Sequence, residues 1–281
     1  MNPFTPLRRL YEHWWSSAPT VAVLRCDGII GPRGRRSLSL ARLAPAIERA
    51  FRLRNLKGVA LAINSPGGSP VQSQLIYRRV RQLADEREVP VFAFAEDVAA
   101  SGGYWLALAA DEIYAEEASL VGSIGVVSAS FGFAQALSRL GVERRLYTAG
   151  PDKSLLDPFL PEKPQDIERL GTLQRDLHDS FKALVHARRG AKLKGDDASL
   201  LSGEIFSGRR ALALGLIDGI GDLRGVLRER FGETVRFRPV LPERRRLFSL
   251  TAPWRRSDTA DVAADLVARF EERLIWARFG L

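Results

Sequence analysis

The chain has 281 residues, 46% hydrophobic and 27% charged, and its 42 Lys plus Arg against 33 Asp plus Glu leave a formal charge of +9. These proportions exclude a disordered or fibrous chain and predict one large domain or two small ones. One cysteine, Cys26, excludes an internal disulfide framework and a multi-cysteine zinc site, and the scattered His13, His178 and His186 give metal chemistry no cluster to start from.

In residues 1–20, Arg8, Arg9, Glu12 and His13 interrupt any apolar stretch, so an irregular segment without a cleavable signal is expected. Val21–Leu24 is a short β-branched run that ends at the turn pair Asp27-Gly28, which predicts a strand. Leu43, Ile47, Ala50 and Leu53 recur at helical spacing between Ser39 and Asn55, and Gly58 then opens the apolar run Val59–Ile63. A helix over Gln72–Arg87, a strand over Val91–Ala95, a helix from about Ser101 and a strand over Ile113–Ala115 repeat the order. Strands that are apolar throughout and alternate with helices predict a parallel sheet covered on both faces.

Ala118–Ser138 carries no formal charge over 21 residues, long enough to cross a bilayer. Its five serines, Gln135 and three glycines break it instead into strand, turn and helix start, so no spanning helix is expected. The alternation continues with strands over Ile124–Val127 and Arg145–Thr148 on either side of a helix near Ala134–Leu140. Gln165–Arg189 reads as one long amphipathic helix, with Ile167, Leu170, Leu173, Leu177, Phe181 and Leu184 three and four apart. Ser207–Leu216 adds a short helix before the turn at Gly219. Residues Arg236–Arg256 then hold seven arginines, one glutamate and three prolines without a period, so most of the basic charge sits in a linker or arm. Val262, Leu266, Phe270 and Leu274, four apart, predict a final helix over Thr259–Phe279. The expected organisation is an irregular segment 1–20, a domain 21–235, and a basic arm with a C-terminal amphipathic helix over 236–281.

Two loops carry the chemistry. Asn64-Ser65-Pro66-Gly67-Gly68-Ser69 follows a buried strand and precedes a helix, where glycines leave N–H groups free to face an anion. Taken alone it reads equally as a plain strand-to-helix turn. Asp97-Val98-Ala99-Ala100-Ser101-Gly102-Gly103-Tyr104-Trp105 repeats the arrangement and sets Ser101 among residues with almost no side chain, as a candidate nucleophile or a helix N-cap. A serine needs a base, and no histidine follows a strand in a loop. An amine can serve if burial or neighbouring charge lowers its pKa from about 10.4. Lys153, in the loop Gly150-Pro151-Asp152-Lys153-Ser154, is the best-placed amine, although by spacing alone a loop lysine reads as a solvated surface charge.

The ordered loops N-S-P-G-G, A-S-G-G-Y-W, V-G-S-I-G-V and A-G-P-D-K-S resemble the signal peptide peptidase A family of serine peptidases, over about Val21–Phe231. The resemblance implies an α/β fold of the Clp-protease/crotonase type, a spiral of ββα units, here with a C-terminal helical extension. It implies Ser101 as nucleophile, Lys153 as general base, Ser123 as the serine that orients the lysine, and the amides of Gly68 and Gly102 as the oxyanion hole. No metal or organic cofactor is implied. It also implies peptide or protein substrates, short and apolar such as signal-peptide remnants, and a homo-oligomeric ring or dome in which Lys153 approaches the serine of a neighbouring protomer. The sequence departs from many members in lacking an N-terminal anchor and in adding the basic arm, so a cytoplasmic or peripheral inner-face location is expected. Two other readings stay open: a crotonase-like acyl-CoA enzyme, and a non-catalytic scaffold whose arm, with Trp14, Trp15, Trp254 and Trp276, meets an anionic membrane surface. Clustered arginines without a recognised module argue against nucleic acid.

Overall fold

The computed structural model describes residues 18–32, 37–150, 152–242 and 273–281. Its frame is a largely parallel sheet. β1 (Thr20–Asp27), β2 (Leu56–Ser65) and β3 (Val91–Ala100) lie side by side and parallel. Their apolar runs bury on both faces, as the continuous hydrophobicity of Val59–Ile63 and Val91–Ala95 requires. One face is covered by α1 (Leu40–Ala50), α2 (Pro70–Arg87) and α3 (Gly102–Ala107), which share a core with Leu24, Leu61 and Ile63. A smaller cluster on the other face joins Val21, Ala60, Phe92 and Phe94 to Leu227 of α8 (Leu223–Phe231). This is the mixed α/β architecture expected from the sequence.

α2 begins where its residues specify: the Ser69 hydroxyl accepts the Gln72 N–H and Pro70 occupies the first turn. Past α3 come β4 (Glu112–Ala115) and β5 (Leu120–Gly122), after which the chain leaves the sheet. The strands expected at Ile124–Val127 and Arg145–Thr148 do not form. Strand pairing ends instead at Gly122, whose φ of +106° turns the chain away, and residues 126–150 lie almost wholly in solvent around the short α4 (Ala134–Arg139). α5 (Pro164–Arg189) returns the chain, and α6 (Asp197–Leu200), β6 (Ile205–Ser207), α7 (Gly208–Ala213) and β7 (Gly219–Ile220) lead to α8. Arg236–Val240 is strand β8 beside β1, so the sheet extends past the boundary expected at residue 235. The strands lie in the order β6-β5-β3-β2-β1-β8, with β4 beside β3 and β7 beside β4. The rest of the basic arm and most of the expected final helix fall outside the described residues, although residues 273–277 are helical.

The C-terminal end of α5 is clamped to the core by two arginines. Arg188 donates to the carbonyls of Leu108 and Ala110 just after α3, at 2.9 and 2.7 Å. Arg189, 3% exposed, donates to the Gly215 carbonyl and to Asp218 Oδ2 at 2.6 Å, while Lys192 holds Oδ1 at 2.6 Å. Burial alone would raise the Asp218 pKa, but hydrogen bonds from Arg189, Lys192 and the Ile113 amide hold it below the usual carboxylate range. A depressed folded pKa contributes stability that is present above the unfolded value of about 4 and is lost as pH falls through the folded value. Arg189→Met removes the buried partner and leaves Asp218 with Lys192 and the Ile113 amide, and it is expected to cost about 3 kcal/mol in urea unfolding at pH 7. The gap from wild type should narrow as pH falls below about 4 and on through the depressed folded pKa of Asp218.

Candidate active site

β2 and β3 end side by side, and their strand-to-helix loops meet with no space for side chains. A Cβ on Gly67 would sit 2.7 Å from Ser101 Cβ and 2.8 Å from the Gly102 nitrogen. One on Gly102 would meet Ser73 Oγ at 2.6 Å, and one on Gly103 would meet the Ser65 carbonyl oxygen at 2.5 Å. Gly68 passes so close to Ile30 that a Cβ would fall 2.0 Å from its carbonyl oxygen, and Ile30 clasps the loop through Ile30 N–H to Gly67 O and Ser69 N–H to Ile30 O, both 2.8 Å. The glycines expected from the motif therefore do two things. They allow positive φ at Gly67 and Gly68, and they let the first loop lie directly against Ser101.

Ser101 itself has φ +52° and ψ −119°, a conformation L residues rarely adopt, at the point where β3 passes into α3. Such a turn costs about 1–3 kcal/mol and lifts the side chain clear of the backbone, the arrangement of a strand-to-helix nucleophile. Ser101 stands at the N-cap position of α3, but its hydroxyl makes no side-chain cap hydrogen bond to the helix. The Ser101 N–H donates to the Gly122 carbonyl at 2.8 Å, which brings the β5 end and Ser123 alongside. Among the described residues, the Gly68 and Gly102 amides donate no hydrogen bond. Two free donors thus flank the serine on its two loops, as an anion would require.

Ser123, with φ +50°, is tied down by its own N–H to the Glu204 carbonyl at 2.7 Å. The next residue is held by a group the sequence did not single out for any role: His178 Nε2 lies 3.0 Å from the Ile124 carbonyl and 2.7 Å from that of Leu201. Both partners are acceptors, so this nitrogen carries a proton and acts as a strut. His186 pairs with Asp197 on the outer surface, and His13 lies outside the described residues. No hydrogen bond joins Lys153 to Ser101. Lys153 is exposed on the segment between α4 and α5, and among the described residues its amine makes no hydrogen bond or ion pair, while its neighbour Asp152 pairs with Arg169. No group of three or more His, Cys, Asp or Glu able to hold a metal ion occurs among the described residues, and none of their helices is long and apolar enough to cross a membrane.

Behind the loops, a recess of about 1000 Å³ opens on the α8 face of the sheet, lined in part by Arg25, Asn64, Glu96, Asp97 and Ser119. Neither Ser101 nor the two glycines line it, so we place the candidate chemistry at the loops and not in this larger space.

Residues 84–231 match Peptidase family S49. A Brucella abortus protein named Na(+)/H(+) antiporter NhaA is 49% identical over 98% of this chain, the match covering 39% of that protein. Serine protease SPPA, chloroplastic, of Arabidopsis thaliana is 32% identical over 72% of this chain and 31% of its own length. This chain therefore spans well under two thirds of either relative, and the antiporter name describes a whole protein of which 39% is matched. A solved structure of the 1510-N membrane-bound stomatin-specific protease, in a serine-to-alanine mutant form, superposes with a TM-score of 0.48 at 15% identity, covering 80% of this chain and 99% of that one.

The contact between the loops sets a test. Gly67→Ala forces a Cβ against Ser101 at a φ of +104°, and it is expected to slow fluorophosphonate modification of Ser101 by roughly 100-fold, read by mass spectrometry. Gly190→Ala, whose Cβ would meet open space, should leave the rate unchanged.

Proposed function

The chain belongs to peptidase family S49, and from that footing we propose that it hydrolyses peptide bonds with Ser101 as nucleophile and Lys153 as general base. The observation that carries the reading is the pairing of a strained, uncapped Ser101 with unengaged amides on both abutting loops. Neutral Lys153 takes the Ser101 Oγ proton, and Oγ bonds to the substrate carbonyl carbon. The oxyanion then accepts hydrogen bonds from the Gly68 and Gly102 N–H groups, donors of a kind worth about 3–4 kcal/mol in the transition state. As the C–N bond breaks, the lysine returns the proton to the leaving amine, and the same lysine then deprotonates the water that hydrolyses the acyl-serine ester. Ser123, fixed beside Ser101 by the Gly122 and Glu204 contacts, orients the lysine amine.

In this reading the site is completed by a second copy of the chain. Lys153 sits on a segment that exposes Val127, Phe131, Leu140, Val142 and Tyr147, the last 90% exposed, and Ile167 and Leu173 of α5 are exposed as well. Large apolar side chains exposed in such number on one segment are what a protein interface covers. Substrates follow the family resemblance, as short apolar peptides in extended form, including signal-peptide remnants.

Ser101→Ala and Lys153→Ala, made separately, should each abolish hydrolysis of an apolar fluorogenic peptide. Co-expressed in equal amounts, they should recover roughly a quarter of wild-type activity, because random assembly pairs an intact serine with a neighbour's intact lysine at about one site in four. A dead mixture would confine the dyad to one protomer, and an active Ser101→Ala would refute the nucleophile.

A further inference from the structure

β3 does not run straight to Ser101. Ile63 pairs with Ala95 and Ser65 with Ala99, so a single residue of β2, Asn64, stands opposite three residues of β3, Glu96, Asp97 and Val98. The two extra residues form a bulge, and β3 changes partners across it: Phe92–Ala95 pair with β4, and Val98–Ala100 pair with β5. A bulge breaks the ladder, leaves backbone groups to be satisfied from elsewhere and re-aims the residues beyond it. Ser101 is three residues past Val98.

Side chains repair the ladder on both sides. On the β2 side, Asn64 Oδ1 accepts the Val98 N–H at 3.2 Å and its Nδ2 donates to Asp97 Oδ2 at 3.1 Å, while its own carbonyl accepts from Gly28 N–H at 2.9 Å. One amide thus substitutes for the missing strand residues and holds both ends of the Asp97-Val98 step. On the other side, the buried Ser119 hydroxyl donates to the carbonyls of Ala95, at 3.2 Å, and Glu96, at 2.5 Å. It also accepts the Glu116 N–H at 3.0 Å, which directs its proton toward β3.

We propose that Asn64 and Ser119 are positioning residues for the nucleophile, fixing the β3 bulge so that Ser101 meets Gly67 and Gly68 in attacking position. They touch neither substrate nor Ser101. The inference rests on the reading of Ser101 as nucleophile and adds to it two residues outside the motif's assigned roles. Their effect falls on rate more than on stability, because a half-exposed pair such as Asn64–Asp97 contributes little to folding, whereas a displacement of about 1 Å at a reacting atom costs about 100-fold in rate.

The pair's chemistry supplies the test. Asn64→Asp keeps the acceptor for the Val98 N–H but sets a carboxylate against Asp97. Adding Asp97→Asn restores a donor–acceptor pair with its direction reversed. The second-order and saturating rates of Ser101 modification by a fluorophosphonate, together with peptide kcat and KM, are measured on wild type, N64D, D97N and the double variant. N64D is expected to lose about 100-fold in the saturating rate and in kcat with KM nearly unchanged. The double variant should return to within about threefold of wild type. N64D reacting at the wild-type rate, or a double variant as slow as N64D, overturns the proposal. Should N64D not fold, Ser119→Ala decides: a tenfold or greater loss supports the proposal, and a wild-type rate overturns it. If Ser101→Ala leaves labelling and activity intact, the nucleophile and this inference fall together; if Ser101→Ala is dead and N64D is not impaired, the inference alone falls.

Discussion

The structure depends on one steric constraint, the meeting of two strand-to-helix loops at a distance that no Cβ permits. Gly67 lies on Ser101, Gly103 on the Ser65 carbonyl, and Gly68 on the Ile30 carbonyl. Glycine is costly in an ordered segment because it gives up the most backbone freedom on folding. Four such residues in two adjacent loops, Gly67, Gly68, Gly102 and Gly103, are a stability loss that close approach and, at the first two, positive φ explain. The result is that α2 and α3 start next to one another. Parallel neighbouring strands make this possible, since both β2 and β3 deliver their loops to the same end of the sheet.

Strain at Ser101 is sustained by its surroundings. Every residue of α3 is buried, the Trp105 ring stacks on Phe181 with centroids 4.5 Å apart, and Tyr104 donates its hydroxyl proton to the Leu216 carbonyl at 2.7 Å. Trp105 Nε1–H reaches Gln74 Oε1 on α2 at 2.8 Å, so the helices behind the two loops are also cross-tied. A short helix of six residues has little stability of its own, and here tertiary packing supplies it. An unfavourable φ costing about 1–3 kcal/mol persists because relaxing it would unseat a fully packed helix. The bulge in β3 and the Arg188 clamp at the far end of α3 act on the same rigid unit from opposite sides.

Much of this is legible in the residues, and the misses have physical causes. Period and apolar continuity locate β1 to β4, α1 to α3 and α5, because those elements bury against a large core and their side chains must follow the geometry. The sequence pattern favours a strand at Ile124–Val127, whereas β5 stands at Leu120–Gly122. Its three residues pair with the far half of β3, a partnership set by the bulge and not by local composition. β8 is hidden inside a basic stretch. An edge strand needs only one buried face, and Pro239 is tolerated there, so Arg236–Val240 carries none of the marks of a central strand. The two glycine loops stand out because their residue types have one geometric use. Asn64 and Ser119 do not, since their value arises only when two strands pair out of register.

Periodicity in α5 is correct about which face is apolar and silent about what covers it. Phe181 and Val185, near its C-terminal end, are buried against the domain, yet Ile167, Leu173 and Leu177 on the earlier turns lie in solvent. The segment before it packs largely on itself, where Phe133 stacks on Phe159 at 5.6 Å and Arg144 lies over the Phe159 ring. At about 25 cal/mol for each Å² of apolar surface, an uncovered face of this size is a standing cost in a lone chain and a driving force once another surface closes over it. Lys153 occupies the same segment with no partner for its amine among the described residues, whereas Ser101 and its amides are complete on the core. A nucleophile on the rigid part and a base on the uncovered part make assembly and activation a single event in the proposed reading. The exposed apolar side chains would then control when the serine acquires its base.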